Sequence, residues 1–381
     1  LVLSRARSLV AAIAAALGGQ PAGDPRRFSD EPSWLAVVCP SASEIVQRFA
    51  ALPQIVALLE REDARAVGVT VEGIAVELVV SDPERLGTAL VRATGSDDYV
   101  AALEPLPDAP DEPGVYAACG IPWCPPELRE EPFRGTPPVL VERGDLRGDL
   151  HCHTTWSDGT GSVEEMGRAA CDLGYEYLAI CDHTTGVRVV RGLDGEAVRR
   201  QLEEIQAVNE QLAPFRLLAG IECDIRPDGS LDLPDDVLAE LDWVTASVHA
   251  GQRQPRAELT ARVVEALRHP LVRSLSHPTG RLVGRRPPNA LDLEQVVEVA
   301  LETGTALEVN GLPDRLDLKG EHIRLCTKAR VPIVVATDAH SVRGLENMEL
   351  AIGTARRGWA RAADVVNTRP LAELLAPKRP R

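Results

Sequence analysis

The sequence predicts an α/β protein in which a barrel of alternating strands and helices follows a smaller α+β part. From residue 145 onward, short apolar runs alternate with helix-like segments, and most of these runs end in a histidine, an aspartate or a glutamate. Barrels of this type place their chemistry at the carboxyl ends of the strands. The length of 381 residues exceeds that of one ordinary domain and indicates two.

The second part predicts about seven strands with helices between them. The predicted strands are residues 148–152, 177–182, 217–223, 243–249, 272–276, 306–310 and 332–337. The predicted helices are residues 163–173, 196–212, 234–241, 256–268, 292–303 and 322–329. This alternation is typical of parallel α/β barrels.

The first part predicts helices and one hairpin. Helical patterns cover residues 1–17, 41–49 and 82–94, and Ser41 or Ser43 is the expected cap of the second helix. Two β-like runs, 67–71 and 74–80, flank a Glu-Gly turn and predict a hairpin. Residues 105–135 are rich in Pro, Asp and Glu and predict a linker with one short helix at 115–118. The expected domains are therefore residues 1–104 and 145–381, joined by a linker at 105–144.

Residues 147–159, RGDLHCHTTWSDG, are the most informative stretch of the chain. His151 and His153 stand two apart, so on a strand both rings point to the same face. Asp158 follows in a Ser-Asp-Gly turn, where the chain can fold back over that face. Two imidazoles and a carboxylate suit a divalent metal such as Zn²⁺ or Mn²⁺, although a His-x-His alone is only suggestive.

Further candidate ligands stand where the later strands end. With the first three they make nine: His151, His153, Asp158, His183, Glu222, His249, His277, Asp338 and His340. A single histidine at a strand end is more often structural than a ligand, but nine such coincidences indicate a metal centre. Only His269 and His322 lie elsewhere, and both resemble ordinary helix-end or surface residues.

Composition and charge exclude several classes of protein. The net charge of −16 argues against a broad, non-specific nucleic-acid surface, so any nucleic acid would have to be held locally, by metals and a few arginines. No apolar run approaches the ~20 residues of a membrane span, and the apolar stretch at 9–17 favours an Ala-rich helix over a signal peptide. The eight cysteines form no CxxC pair, which favours small buried thiols in a reducing cytoplasm.

Residues from about 145 to the C-terminus resemble the PHP (polymerase and histidinol phosphatase) domain. The matching segments are DLHCHTTWSDG, CDHT, GIE, SVH, SHPTGR, LEVN and TDAHS. The segments HPTGRLVGRRPP, NGLPDRLDL and ARRGWARAADVVNT are similar to the branch found at the C-terminus of bacterial family X DNA polymerases. The resemblance implies a distorted, seven-stranded PHP barrel.

The same resemblance implies that the nine residues hold three divalent ions. One ion would be shared by His151, His153, Glu222 and Asp338. A second would be held by Glu222, His249 and His277, with Glu222 as the bridge. A third would be held by Asp158, His183 and His340. Mn²⁺ is the ion expected in activity, and Zn²⁺ or Fe²⁺ also suits mixed histidine and carboxylate ligands. Such ions promote phosphoester hydrolysis, whereas the general acid stays unassigned between His183 and His249.

The first part also resembles family X polymerases, with departures that bear on function. AGDPRR at 22–27, LGTALVRATGS at 86–96 and YAACGIPWCPPELRE at 116–130 carry the resemblance. Trp34 and Ala36 stand where the two Mg²⁺-binding carboxylates of the palm are expected. Asp24 replaces the serine of a phosphate cradle, and Glu77 is one remaining palm carboxylate. We therefore expect a degenerate palm without polymerase activity.

Four candidate substrate-binding residues lie near the predicted strand ends. They are Arg281, Arg285, Arg286 and Asn310. Guanidinium groups bind phosphate well, although a solvated charged loop is an equally open explanation for the three arginines. Arg315 is open between a substrate contact and a structural ion pair. Thr184-Thr185-Gly186 replaces the Ser-Lys that the polymerase branch tends to carry, which lowers the expected affinity for DNA.

These observations predict a metal-dependent phosphoester hydrolase. The most specific expectation is a 3′–5′ exonuclease or 3′-phosphatase that acts on DNA 3′ ends. One alternative is a phosphomonoesterase on a small metabolite, as in histidinol-phosphate phosphatases, and the acidic composition favours it. Another alternative is a non-catalytic scaffold, against which nine converging ligands argue.

Overall fold

A computed structural model describes residues 1–186 and 190–377, which form two compact units that divide between Val139 and Leu140. Each unit has its own sheet and its own hydrophobic core. The predicted second domain ends at residue 381, and its last four residues lie outside the described part of the chain. In the described residues, no helix is long and apolar enough to cross a bilayer.

The first unit is built on a five-stranded mixed sheet. Its strands are β1 (Gln20–Gly23), β2 (Leu35–Pro40), β3 (Ala57–Arg61), β4 (Arg65–Val69) and β5 (Ala75–Ser81). Its helices are α1 (Leu3–Leu17), α2 (Ile45–Ala50), α3 (Leu86–Thr94), α4 (Asp97–Leu103) and α5 (Glu112–Ala118). The strand order is β1-β2-β5-β4-β3, in which β2 and β5 are parallel and the other pairs antiparallel. The predicted hairpin is confirmed as β4 and β5.

The first unit also differs from the sequence predictions. Helix α2 begins at Ile45 rather than at residue 41, and neither Ser41 nor Ser43 caps it, because Glu44 is the residue before its first turn. The Ser41 hydroxyl donates to Asp82 Oδ1 (3.2 Å) instead. The segment predicted as a linker, residues 105–135, is packed within the unit. Its Arg129 side chain is completely buried and pairs with Glu112 at 2.6 Å. The acids that suggested a solvated linker therefore include the counterion of a buried arginine.

The second unit is a seven-stranded parallel barrel. Its strands are β6 (Gly148–Cys152), β7 (Tyr177–Ile180), β8 (Arg216–Asp224), β9 (Trp243–Ser247), β10 (Val272–Leu275), β11 (Ala306–Asn310) and β12 (Ile333–Ala336). Its helices are α6 (Val163–Asp172), α7 (Gly195–Leu212), α8 (Asp235–Leu238), α9 (Arg256–Arg268), α10 (Leu293–Thr303), α11 (Gly320–Ala329), α12 (Met348–Arg357) and α13 (Leu371–Leu374).

The barrel strands pair in chain order, and the predicted α/β barrel is confirmed. The chain that follows β12 nearly closes the ring against β6, because the Asp338 N–H donates to the His151 carbonyl (3.0 Å) and the His153 N–H to the Ala339 carbonyl (2.8 Å). Strands β6 and β11 have the predicted bounds, and the other ends differ by one or two residues, as strand ends commonly do.

Alternate residues along each strand share a face of the sheet, and this period places the polar groups. Trp243 begins β9 in an apolar cluster with Ala306 and Leu218, whereas His249, six residues further along, lies just past the carboxyl end of the same strand. On β11 the same face runs from Ala306 through Glu308 to Asn310. The apolar floor thus lies at the amino ends of the strands and the polar groups at their carboxyl ends.

Candidate active site

The carboxyl ends of the barrel strands bring all nine candidate side chains together. His151 lies on β6 and Glu222 on β8, and the other seven follow the ends of strands. His277 (φ 22°) and Asp338 (φ 54°) have backbone angles in the left-handed region. Non-glycine residues are held there at a cost of ~1–3 kcal/mol, and such strain concentrates at functional sites.

The deepest group contains four of these side chains. His151 Nε2 lies 3.1 Å from His153 Nε2, which in turn lies 3.1 Å from Asp338 Oδ1. Glu222 Oε2 is 3.6 Å and 3.7 Å from the two Nε2 atoms. Ligands ~2 Å from one tetrahedral ion are roughly 3.3 Å apart, which is close to these separations. The four residues are at most 2% exposed.

The other oxygen of Glu222 faces a second group. Its Oε1 lies 2.9 Å from His277 Nε2 and 3.4 Å from His249 Nε2, and it accepts a hydrogen bond from the Ser276 hydroxyl at 2.7 Å. The two oxygens of this one carboxylate therefore face different sets of imidazoles. That arrangement gives Glu222 the geometry of a bridging ligand.

Asp158 forms the third group. Its Oδ2 lies 3.6 Å from His183 Nε2 and 3.4 Å from His340 Nε2. The turn that carries Asp158 needs a glycine at Gly159, where a Cβ atom would stand 2.6 Å from the His153 carbonyl oxygen. The Asp158 and His340 side chains are 27% and 33% exposed, so the centre opens to solvent on this side.

Several buried ligand-type atoms have no hydrogen bond to any described residue. They are Nδ1 of His153, His183 and His277, and Oε2 of Glu222. His183 Nδ1 and Glu222 Oε2 lie 2.9 Å apart, but not with hydrogen-bond geometry. Buried polar atoms rarely stay without partners. Imidazole nitrogens and carboxylate oxygens without thiolates suit Mn²⁺, Zn²⁺ or Fe²⁺, so the residues fit divalent ions. That they bind metal stays a prediction.

The charges of the group favour cation binding. Burial alone lowers the pKa of His183, but the Glu222 and Asp158 carboxylates outweigh it and raise this pKa to about 10. Burial and the neighbouring His183 and His340 rings lower the pKa of His153 to about 3. Burial also opposes the ionisation of Glu222, yet the surrounding imidazoles hold its pKa well below the ordinary value. Metal ions compete with protons for such ligands.

A second layer of buried groups fixes the orientation of these ligands. Glu308 Oε2 lies 2.7 Å from His151 Nδ1, and Asp224 Oδ1 lies 2.8 Å from His249 Nδ1. Carboxylates behind histidines set the tautomer and turn the other nitrogen toward an ion. Sequence reasoning missed Glu308 and Asp224. Glu308 is the one charged residue of β11, and Asp224 ends β8 two residues after Glu222. Charged residues in such positions are seldom buried without a partner.

The candidate substrate residues have other partners. Arg281 is 6% exposed and its guanidinium donates to the carbonyls of Arg315 and Leu316, while Arg286 donates to the Gly280 carbonyl at 2.8 Å. The fully buried Asn310 amide donates to Glu308 and to Asp338 Oδ2 (2.9 Å), so its position is that of a ligand-orienting residue rather than a substrate contact. The third arginine, Arg285, is exposed near Asp314 at 3.9 Å.

Arg315, which the sequence left open, lies at the edge of the centre. Its Nε is 3.4 Å from Asp338 Oδ2, and its Nε and Nη1 make no hydrogen bond to a described residue although both are buried. Burial is the main cause that lowers the pKa of His277, and the positive charge of Arg315 lowers it further. A buried guanidinium group with two nitrogens that lack a described partner thus lies beside two candidate metal ligands, Asp338 and His277.

Comparisons with known proteins agree with this geometry. The family model of the PHP domain matches residues 149–310. A probable phosphatase of Acetivibrio thermocellus is 33% identical over 202 residues, which cover 50% of this chain and 78% of that protein. The chain belongs to the PHP family of phosphoester hydrolases. The match spans seven of the nine candidate ligands, and Asp338 and His340 lie beyond it.

Other PHP relatives resemble the chain as well. The DNA polymerase/3′-5′ exonuclease PolX of Bacillus subtilis is 43% identical over 272 residues, 70% of this chain and 48% of PolX. The chain therefore spans about half the length of that relative. A probable phosphatase of Thermoanaerobacter sp. is 27% identical over 231 residues, 58% of this chain and 89% of that protein.

Proposed function

We propose that this chain hydrolyses phosphoesters at DNA 3′ ends, as a 3′–5′ exonuclease or 3′-phosphatase, with three divalent ions at the nine candidate ligands. The observation that carries the proposal is the convergence of these side chains around Glu222, whose two oxygens lie 2.9–3.7 Å from nitrogens of five histidines. Arg315 lies beside them. Bound ions would polarise the phosphoryl group and activate water.

The chain's own residues would prepare this site for a phosphate. Glu308 and Asp224 hold the His151 and His249 rings in place, and Asn310 holds Asp338. Arg315 offers two N–H groups without described partners, which suit a phosphoryl oxygen. The substrate would enter on the side of Asp158 and His340, where the group is open.

DNA is the favoured substrate because of the relationship to PolX, whose name includes a 3′–5′ exonuclease activity. A relative that is 43% identical over 70% of the chain supports a common substrate class more strongly than the less similar phosphatases do. The terminal phosphoester would be the group that the three ions and Arg315 contact.

The first unit supports the absence of polymerase activity. Where a palm needs carboxylates, Trp34 donates its indole N–H to Glu77 (2.7 Å), and Arg65 donates to the other oxygen of Glu77 (2.5 Å). The Asp24 carboxylate accepts the backbone N–H groups of Ser33 (2.7 Å) and Trp34 (2.8 Å). The Asp24 carboxylate would thus occupy the backbone N–H groups that the resemblance assigns to a phosphate.

A phosphomonoesterase on a small metabolite is the second candidate. The chain covers 78% of the Acetivibrio thermocellus phosphatase but only 48% of PolX. The guanidinium groups of Arg281 and Arg286 also donate hydrogen bonds to backbone carbonyls. Fewer cationic groups are therefore available to bind a DNA backbone.

A hydrolysis assay with Mn²⁺ separates the two candidates. One reaction contains 5′-labelled single-stranded and recessed-end DNA, and the other contains histidinol phosphate and simple phosphomonoesters. The His153→Ala protein is the control for contaminating enzymes. A ladder of shortened DNA that is lost in the variant supports the exonuclease. Phosphate release from small esters with the DNA intact would contradict it and support the phosphomonoesterase.

A further inference from the structure

A second cavity lies at the opposite end of the barrel from the candidate active site. It has a volume of about 810 Å³, within the range of small-molecule sites. Trp243, Ala306 and Pro332, at or just before the starts of β9, β11 and β12, form part of its wall. His249 lies six residues beyond Trp243, a distance of roughly 20 Å along an extended chain. The cavity is therefore separate from the metal-ligand groups.

The cavity is rich in arginine, although the protein as a whole has a charge of −16. Arg361 is neutralised by Asp364 at 2.9 Å, and Arg273 donates to the backbone carbonyls of residues 374, 375 and 376. Arg330 and Arg369 have no ion pair or side-chain hydrogen bond to any described residue. Glu373 is the remaining acid in the wall, so cations outnumber anions.

We infer that this cavity binds a small phosphate-bearing molecule. The guanidinium groups of Arg330 and Arg369 would hold the phosphate, because planar guanidinium matches phosphate oxygens in pairs. Apolar wall residues such as Ala306, Val366 and Leu374 would pack against an organic group attached to it. A phosphate ester therefore fits better than inorganic phosphate alone. The inference is independent of the reaction proposed for the metal-ligand groups.

Calorimetric titration tests this site with phenylphosphonate, a probe whose carbon–phosphorus bond resists phosphoester hydrolysis, and with inorganic phosphate. The test protein carries Arg330→Gln and Arg369→Gln. Arg330 is exposed and Arg369 is partly exposed, and neither belongs to the buried core. The matched control carries Arg256→Gln and Arg268→Gln, two exposed arginines of α9. Arg315→Gln serves to recognise binding at the metal-ligand groups.

We expect the test variant to bind phenylphosphonate about tenfold more weakly, while the control and Arg315→Gln keep this binding event. Hydrogen exchange should show that the probe protects residues 361–374 in the unsubstituted protein but not in the test variant. Tighter binding of phenylphosphonate than of phosphate would indicate that the cavity takes a phosphate ester. Equal binding of the two would indicate that it takes inorganic phosphate. Unchanged affinity in the test variant, or protection confined to the strand ends around Glu222, would overturn the inference.

Discussion

Glu308 lies behind His151, with its Oε2 2.7 Å from the Nδ1 atom of that ring. We predict that Glu308→Gln weakens metal binding by roughly 10–100-fold, because the amide holds the imidazole and its tautomer less firmly. Calorimetric titration of the metal-free protein with Mn²⁺ measures the change.

The matched control for this prediction is Glu302→Gln. Glu302 is an exposed residue of α10, the helix that precedes the strand of Glu308. It should leave the affinity for Mn²⁺ unchanged. Equal affinity in the two variants would show that Glu308 does not orient a metal ligand.

Arg315 is the second residue with a specific expected effect. Arg315→Gln should lower kcat/KM roughly 10–100-fold, because a charge-assisted hydrogen bond to phosphate contributes ~1.5–3 kcal/mol. The metal content should stay the same, since Arg315 is not a candidate ligand. Steady-state kinetics with the substrate found in the hydrolysis assay, together with metal analysis, tests this.

The exposed residue Arg268, at the end of α9, gives the comparison, and Arg268→Gln should change kcat/KM less than twofold. If Arg315→Gln instead loses metal along with activity, the guanidinium supports Asp338 rather than the substrate.

Among the secondary-structure elements, α5 carries Glu112, the acid that pairs with the buried Arg129 of the first unit. Glu112 accepts hydrogen bonds from Arg26 (2.7 and 2.8 Å) and from the fully buried Arg129 (2.6 Å). Burial raises the pKa of the Glu112 carboxyl, but the Arg26 hydrogen bonds and the Arg129 charge outweigh it and hold the pKa below its usual value.

We predict that Glu112→Gln lowers the free energy of unfolding by about 3–5 kcal/mol at neutral pH, because Arg129 would remain buried without its counterion. Since the folded-state pKa is depressed, this stabilisation is complete above the usual glutamate pKa of ~4.3 and is lost as the pH falls through the folded value. Urea denaturation between pH 3 and pH 7 should show the difference from the unsubstituted protein shrinking toward the acid end.

Glu104→Gln is the control for Glu112→Gln. Glu104 pairs with Arg92 at 3.0 Å on the surface, where solvent and salt screen such pairs and they contribute little to stability. A similar, small effect for both substitutions would mean that the buried arginine tolerates the loss of its partner.

The elements that the sequence predicted are those with a strong hydrophobic period. The barrel strands are short runs in which nearly every residue is buried, and β6 and β11 were predicted with their full bounds. Strand β3 was missed because it is an edge strand with exposed residues and no alternation. Helices α4 and α12 were also missed.

The candidate site, like the fold, was predictable only where the residues leave a local pattern in the sequence. Strand-end histidines and acids have a sequence signal, whereas the hydrogen bonds behind them do not. The pairing of Glu308 with His151 joins residues 157 positions apart in the chain, so spacing could not reveal it. The commitment of Arg281 to backbone carbonyls depends on the path of a loop, which composition does not specify.

At the scale of the whole molecule, the candidate ligands all belong to the second unit. We predict that chelation lowers the melting temperature of that unit and leaves the first unit unaffected. Bound ions would stabilise the folded state by ~2.7 kcal/mol when their concentration is 100 times the dissociation constant. They would also give a partner to the buried Oε2 atom of Glu222.

Differential scanning calorimetry before and after EDTA treatment, and again after addition of Mn²⁺, measures this effect. The shift should reverse with Mn²⁺. An unchanged thermogram, in protein that metal analysis shows to have lost its ions, would contradict a structural contribution of metal to the barrel.

The number of metal ions per chain tests the central claim most directly. The purified protein is equilibrated with Mn²⁺, desalted and analysed by inductively coupled plasma mass spectrometry, in parallel with Asp158→Asn. The three groups around Glu222 predict three ions per chain, and two in the variant, because Asp158 joins His183 and His340. Fewer than three ions per chain in the unsubstituted protein would contradict a trinuclear centre.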